Sequence, residues 1–121
     1  MNSVGYFEIQ ADDIEDAQSF YKEVFGWVFN KDTNVPIEYF SIENAGLRGG
    51  LLKRPAPLPP PKSGINAYAC SIQVSDFDQT ALKILKNGGT IALEKFEIPG
   101  RCWQGYFLDS QGNCFGIFQV I

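Results

Sequence analysis

Ile9-Gln10-Ala11-Asp12-Asp13 recurs as Ile72-Gln73-Val74-Ser75-Asp76, sixty-three residues further along a chain of 121. Each copy runs into an acid-rich stretch with helical spacing that ends at a glycine, Gly26 in the first and Gly89 in the second, again sixty-three apart. Farther on the offset widens to sixty-six: Gly46 answers Gly112, Gly50 answers Gly116, and Leu51-Leu52 answers Ile117-Phe118. One structural unit is written twice, which restricts both the fold and the places where a site can lie.

Local patterning gives the content of that unit. Residues 4 to 10 alternate, with Phe7 and Ile9 on one side and Tyr6, Glu8 and Gln10 on the other, as in a strand with one face on a core. In the second copy Cys70, Ile72 and Val74 oppose Ala69, Ser71 and Gln73 in the same way. Asp12 or Asp13 is placed to cap a helix in which Ile14, Ala17, Phe20, Tyr21, Val24 and Phe25 form the apolar stripe, with Gly26 as its stop. Ser75 or Asp76 does the same for a second helix with the stripe Phe77, Ala81, Leu82, Ile84 and Leu85, ending at Asn87-Gly88-Gly89. Three extended runs follow each helix: 27–30, 37–43 and 47–53 in the first half, 90–96, 103–108 and 114–120 in the second. The expected organisation is a single α+β domain of two tandem βαβββ units, 1–53 and 66–121. A polyproline-type connector, 54–65, joins them through Arg54-Pro55-Ala56-Pro57-Leu58-Pro59-Pro60-Pro61-Lys62. A Pro-rich recognition peptide is the alternative reading of that run.

Composition removes several classes of function. At 45% hydrophobic and 14% aromatic residues, the chain has the make-up of a domain that buries its own core. A net charge of −4 with ten scattered Lys and Arg argues against a nucleic-acid partner, and no stretch approaches the roughly 20 apolar residues of a membrane span. The N-terminal residues lack the basic and apolar regions of an export signal, so a cytoplasmic protein is expected. Cys70, Cys102 and Cys114 are too far apart for a CxxC knuckle and read as buried free thiols. There is no histidine, so the usual general base, the commonest transition-metal ligand and any Ser-His-Asp or Cys-His mechanism within one chain are all missing.

The doubled unit resembles the vicinal oxygen chelate superfamily, which includes glyoxalase I, bleomycin-resistance proteins and extradiol dioxygenases. The run Tyr6-Phe7-Glu8-Ile9-Gln10-Ala11-Asp12-Asp13, with Ala17, Phe20-Tyr21 and Val24-Phe25-Gly26-Trp27, is similar to the family's opening strand and helix. Gly49-Gly50-Leu51-Leu52-Lys53-Arg54-Pro55 and Asp109-Ser110-Gln111-Gly112-Asn113-Cys114-Phe115-Gly116 are similar to two further family segments. The resemblance implies curved mixed sheets around a central cavity, the glyoxalase/bleomycin-resistance fold, and it implies a homodimer. It specifies the reaction poorly, because one fold hosts many functions.

In metal-dependent members of that superfamily each unit supplies one ligand from its first strand, commonly His, and one from its last, commonly Glu. Carried over by position, the resemblance puts those ligands at Tyr6 and Gly50 in the first unit and at Ala69 and Gly116 in the second; Glu8 enters only if the alignment is shifted. Glycine and alanine have no side-chain donor, and one tyrosine cannot hold a divalent ion. The expectation is therefore no metal, no cofactor and no catalytic residues, with a small, partly aromatic or cationic molecule bound in the sheet cavity. Tyr6, Glu8, Tyr39, Gly50, Ala69, Ser71, Trp103, Tyr106, Gly116 and Phe118 are the candidate ligand-binding residues, with Phe40 a further wall. Glu8 must be solvated, paired with Arg48 or Arg101, or turned toward the ligand. The alternative is a metal-dependent lyase, isomerase or dioxygenase using other ligands.

Overall fold

In the computed structural model, which describes residues 3–64 and 67–121, the elements follow in the order β1 (Phe7–Ala11), α1 (Ile14–Phe25), β2 (Val28–Lys31), β3 (Tyr39–Glu43), β4 (Gly49–Lys53), β5 (Ser71–Gln73), α2 (Phe77–Lys86), β6 (Thr90–Ile98), β7 (Cys102–Leu108) and β8 (Cys114–Val120). Strand, helix and three strands thus occur twice. The chain divides into two compact units, Met1–Pro57 and Leu58–Ile121, parting inside the proline run. The linker boundary expected at 65 and 66 lies outside the described residues. No helix among the described residues is long and apolar enough to cross a membrane.

Of the two candidate caps of α1, Asp13 is the one used. Its backbone is extended and its carboxylate accepts from the amide of Asp16 at 3.0 Å, satisfying one of the donors a helix start leaves open. Gly26, at φ 74°, closes the helix in the left-handed region that a side chain disfavours. Asp76 caps α2 in the same way through Gln79. That helix stops at Asn87, and Gly88, not Gly89, takes the left-handed position at φ 93°.

Each unit holds one mixed four-stranded sheet, in the orders β1-β4-β3-β2 and β5-β8-β7-β6. The first strand of each pairs parallel with the last, Phe7 opposite Gly49 and Ser71 opposite Gly116, and the remaining pairs are antiparallel. Residues opposite one another share a face, so the register sorts the side chains. In unit 1 Phe7, Ile9 and Ala11 share a face with Leu51, Phe40 and Ile42 and meet Ala17, Phe20, Tyr21 and Val24 of α1. Trp27 completes that core, stacked on Tyr21 at 5.0 Å and edge-on to Phe7 at 6.0 Å. In unit 2 Ile84, Phe77, Phe107, Phe115 and Ile117 do the equivalent work.

Several expectations need correction. Leu82 and Leu85 are exposed, because α2 meets its sheet along Phe77 and Ile84, and at 3.6 residues per turn Leu85 lies about 100° and Leu82 about 160° round the helix from Ile84. Cys70 is exposed and Cys114 half-buried; only Cys102 is a buried free thiol. The strand expected through Ala69 and Cys70 starts only at Ser71, and β3 and β4 begin at Tyr39 and Gly49, two residues later than the apolar runs suggested.

Candidate functional site

The sheet face turned away from the helix is the candidate surface in each unit. In unit 1 it carries Glu8, Gln10, Tyr39, Ser41, Gly50 and Leu52, since Glu8 and Ser41 both pair with Gly50 while Gln10 and Tyr39 both pair with Leu52. The Tyr39 hydroxyl reaches diagonally across β4 and donates to Oε2 of Glu8 at 2.8 Å. This crossing requires glycine at position 50, because a Cβ there would collide with the Tyr39 hydroxyl and its ring.

Unit 2 repeats the device with other residues. Ser71 and Tyr106 both pair with Gly116, and Gln104, two residues before Tyr106, reaches diagonally to donate from Nε2 to the Ser71 hydroxyl at 3.2 Å. A Cβ at Gly116 would run into Ser71, Gln104 and Tyr106. Phe118, opposite Gln104, continues the same face. Glu8 corresponds to Ser71 and Tyr39 to Gln104, so each unit spans its last-strand glycine with a hydrogen bond from the third strand to the first. Gln104 was not among the sequence candidates, although it is 7% exposed and is one of two buried polar residues among those described. Its signal was its position two residues from Tyr106, which puts both on one face of a strand.

The other candidates fall as follows. Tyr6 precedes β1, is 60% exposed and lies close enough to Tyr39 to act on its ionisation. Ala69 is exposed ahead of β5. Trp103 and Phe40 are on the wrong faces. Trp103 is paired with Glu97 and Gln119 on the α2 side, where Lys95 Nζ stands 4.6 Å above its ring while also paired with Asp78 at 3.0 Å. Phe40 pairs with Leu51 on the α1 side. Two shallow surface hollows of unit 1 lie along α1, one by Glu15, Lys22 and Phe29 and one by Asp12, Glu38 and Lys53. Neither includes Glu8, Tyr39 or Gly50.

In the first unit electrostatics act on Tyr39. Burial, the hydrogen bond to Glu8 and the nearby charges of Glu8, Tyr6 and Asp32, in that order, push the Tyr39 phenol up to about 12. It therefore remains a neutral donor throughout the physiological range. Arg48, the expected partner on this unit, makes no ion pair with Glu8, whose carboxylate holds the tyrosine hydroxyl instead. Because the phenol pKa is raised on folding, its contribution to stability is complete below pH 10 and is lost as the pH climbs through about 12. Absorbance titration should accordingly show a late transition that is absent in Tyr39→Phe and moved to lower pH in Glu8→Gln. A late transition unchanged in both variants would contradict the pairing.

A divalent centre of the superfamily type does not fit these residues. The space a carboxylate at position 50 or 116 would need is taken by Tyr39 in one unit and by Ser71, Gln104 and Tyr106 in the other. No group of three or more His, Cys, Asp or Glu side chains able to share an ion occurs among the described residues.

Doubled βαβββ units with a first-to-last parallel pair define the glyoxalase/bleomycin-resistance class of fold. The chain belongs to the Glyoxalase/Bleomycin resistance protein/Dioxygenase superfamily, whose profile matches residues 3–117. It is similar to "Putative glyoxylase CFP32" of Mycobacterium tuberculosis, 28% identical over 117 residues that cover 95% of this chain and 44% of that protein; the chain thus spans under half the length of this relative. A "Glyoxylase-like domain-containing protein" of Didymella fabae is 31% identical over 121 residues, covering 91% of this chain and 88% of that one. Among solved structures, a mutant of the fosfomycin resistance protein FosX from Listeria monocytogenes superposes with a TM-score of 0.79 at 13% identity, covering 100% of this chain and 94% of that one. That protein was crystallised with Mn(II) and a dihydroxypropylphosphonic acid. At such identity the likeness concerns the fold.

Proposed function

We propose that this protein binds a small cationic or hydroxylated molecule on the open sheet faces and does so without a metal ion. The observation that carries the reading is the Glu8–Tyr39 pair. A carboxylate on a sheet face, held by one neutral donor and by no cation among the described residues, keeps acceptor capacity for a ligand. Tyr6 and Tyr39 add aromatic surface beside that negative charge, a combination suited to an ammonium group. In the second unit Ser71, Gln104, Tyr106 and Phe118 offer hydroxyl, amide and ring surfaces around Gly116.

The test is a thermal-shift screen with choline, spermidine and bleomycin as probes, paired with elemental analysis of the purified protein. A cationic probe should raise the melting temperature, and Glu8→Gln should weaken its binding about ten- to hundredfold, the range for losing a hydrogen bond to a charged group. Retained affinity in Glu8→Gln would defeat the site. Stoichiometric Mn, Zn, Fe or Ni in the protein would instead favour a metal-dependent lyase, isomerase or dioxygenase.

The proposal includes a homodimer. Leu82 and Leu85 of α2, with Ile91, Leu93 and Phe96 of β6, leave apolar side chains of unit 2 exposed. Light scattering that gives a monomer at micromolar concentration would refute self-association.

A further inference from the structure

The two repeats present chemically unlike open faces. In unit 1 the ladder assigns two carboxylates and no cation to the face turned away from α1: Glu8 pairs with Gly50, as does Ser41, and Glu43 lies two residues from Ser41 and opposite Val28. In unit 2 the corresponding face is built of rows. Gly116 pairs with Tyr106 and Tyr106 with Leu93, while Phe118 pairs with Gln104 and Gln104 with Phe96. The row beyond, Val120 with Cys102 and Ile98, is wholly apolar. No position that the ladder assigns to this face is charged. Lys95, in the bulge between Leu93 and Phe96, stands instead over the rings of Phe77 and Trp103 on the α2 side.

This difference decides what each face can hold. An apolar body laid over Glu8 and Glu43 would strip water from two carboxylates and return nothing, whereas the same body laid over unit 2 covers rings and aliphatic side chains.

Gln104 gives the unit 2 face a polar floor. It is buried, with Phe118 opposite it on β8, Phe96 opposite it on β6 and Tyr106 two residues along its own strand. Phe96, Leu93 and Val120 remain exposed, so the apolar side chains rise around a carboxamide that lies beneath them. Nε2 of that carboxamide is committed to the Ser71 hydroxyl. Oε1 accepts no hydrogen bond among the described residues, yet it is not sealed from the surface. An occupant that covered it without offering a donor would leave an acceptor dry, so the fitting ligand carries an N–H on an otherwise apolar, flat body. The recess of the acceptor below the rings favours a small planar molecule over a second copy of the chain, which would rest on the rims.

We propose that the open face of unit 2 binds an uncharged planar aromatic molecule bearing one N–H donor, with its ring against Phe96, Tyr106 and Phe118 and its N–H on Oε1 of Gln104. The proposal rests on the reading of the open sheet faces as binding surfaces and gives this face a ligand class of its own.

Isothermal titration of the full chain with indole and with benzofuran tests it, since the two share one flat bicycle and differ in an N–H replaced by oxygen. Indole should bind about tenfold more tightly than benzofuran, the worth of one hydrogen bond, and at an affinity indifferent to salt. In Gln104→Met the indole affinity should fall to that of benzofuran, and Phe96→Ser should weaken both probes alike. Thermal melts of the two variants separate a binding loss from a folding loss, and the comparison of probes on the parent chain requires no variant at all. No indole binding, equal binding of the two probes by the parent, or an indole preference that survives in Gln104→Met would overturn the proposal. So would an affinity that falls as the protein concentration is raised, which would give the face to a second copy of the chain. Choline binding without indole binding would sink this proposal and spare the cation reading of unit 1, and indole binding without choline binding would do the reverse.

Discussion

Phe20→Ala is expected to destabilise the first unit by about 3–5 kcal/mol, the usual cost of emptying a ring-sized space in a close-packed core. Phe20 is 1% exposed, on the face of α1 that packs toward Leu51, and lies edge-on to Tyr21 at 5.0 Å. Tyr21 in turn stacks on Trp27, so the cavity would open beneath the whole aromatic cluster. Urea unfolding monitored by tryptophan fluorescence measures the loss, and Phe20→Leu should retain most of the stability. A loss under about 1 kcal/mol would mean that Phe20 is not part of a packed core.

The second large effect is expected at Asp109, which is 3% exposed between β7 and β8. Oδ1 accepts from the amides of Gln111 and Asn113 at 2.8 and 2.9 Å, and Oδ2 accepts from the Asn113 side chain at 3.1 Å. The carboxylate thus substitutes for the backbone acceptors that a tight hairpin cannot offer its own turn. Asp109→Ala would leave those donors without their acceptor at a cost of about 3 kcal/mol, while Asp109→Asn, which keeps one acceptor oxygen, should cost roughly half as much. The hairpin also fixes the register that puts Tyr106 opposite Gly116, so Asp109→Ala should speed amide hydrogen exchange along β7 and β8 as well as lower the melting temperature. Unchanged exchange in those strands would separate the turn from the register.

Much of the fold was legible in the sequence because the repeat and the alternation carry the same information twice. Ile9 and Ile72 are equivalent, and so are Gly50 and Gly116, which is enough to place a first strand beside a last strand in both halves. The sidedness of β1 could be read directly, since Phe7, Glu8 and Ile9 alternate without interruption. Sidedness in β7 was equally available: Trp103 and Tyr106 are three residues apart, so on a regular strand they cannot share a face, and only Tyr106 pairs with Gly116. What no pattern revealed is the diagonal reach of Tyr39 across Gly50 and of Gln104 toward Ser71. Those contacts depend on strand register and side-chain length together, and a sequence states only the second. The exposure of Leu82 and Leu85 was hidden for a related reason, because helical spacing shows which residues are apolar but not how wide a stripe the sheet covers.

The parallel pairing of β1 with β4 and of β5 with β8 also bears on how the chain is made. In each unit the first strand to leave the ribosome waits for the last before its edge is matched, so neither unit can be completed by local contacts alone. The wait is nevertheless confined to one unit at a time. Everything β1 requires has been synthesised by Lys53, before β5 begins, and the first unit can close while the second is still being translated.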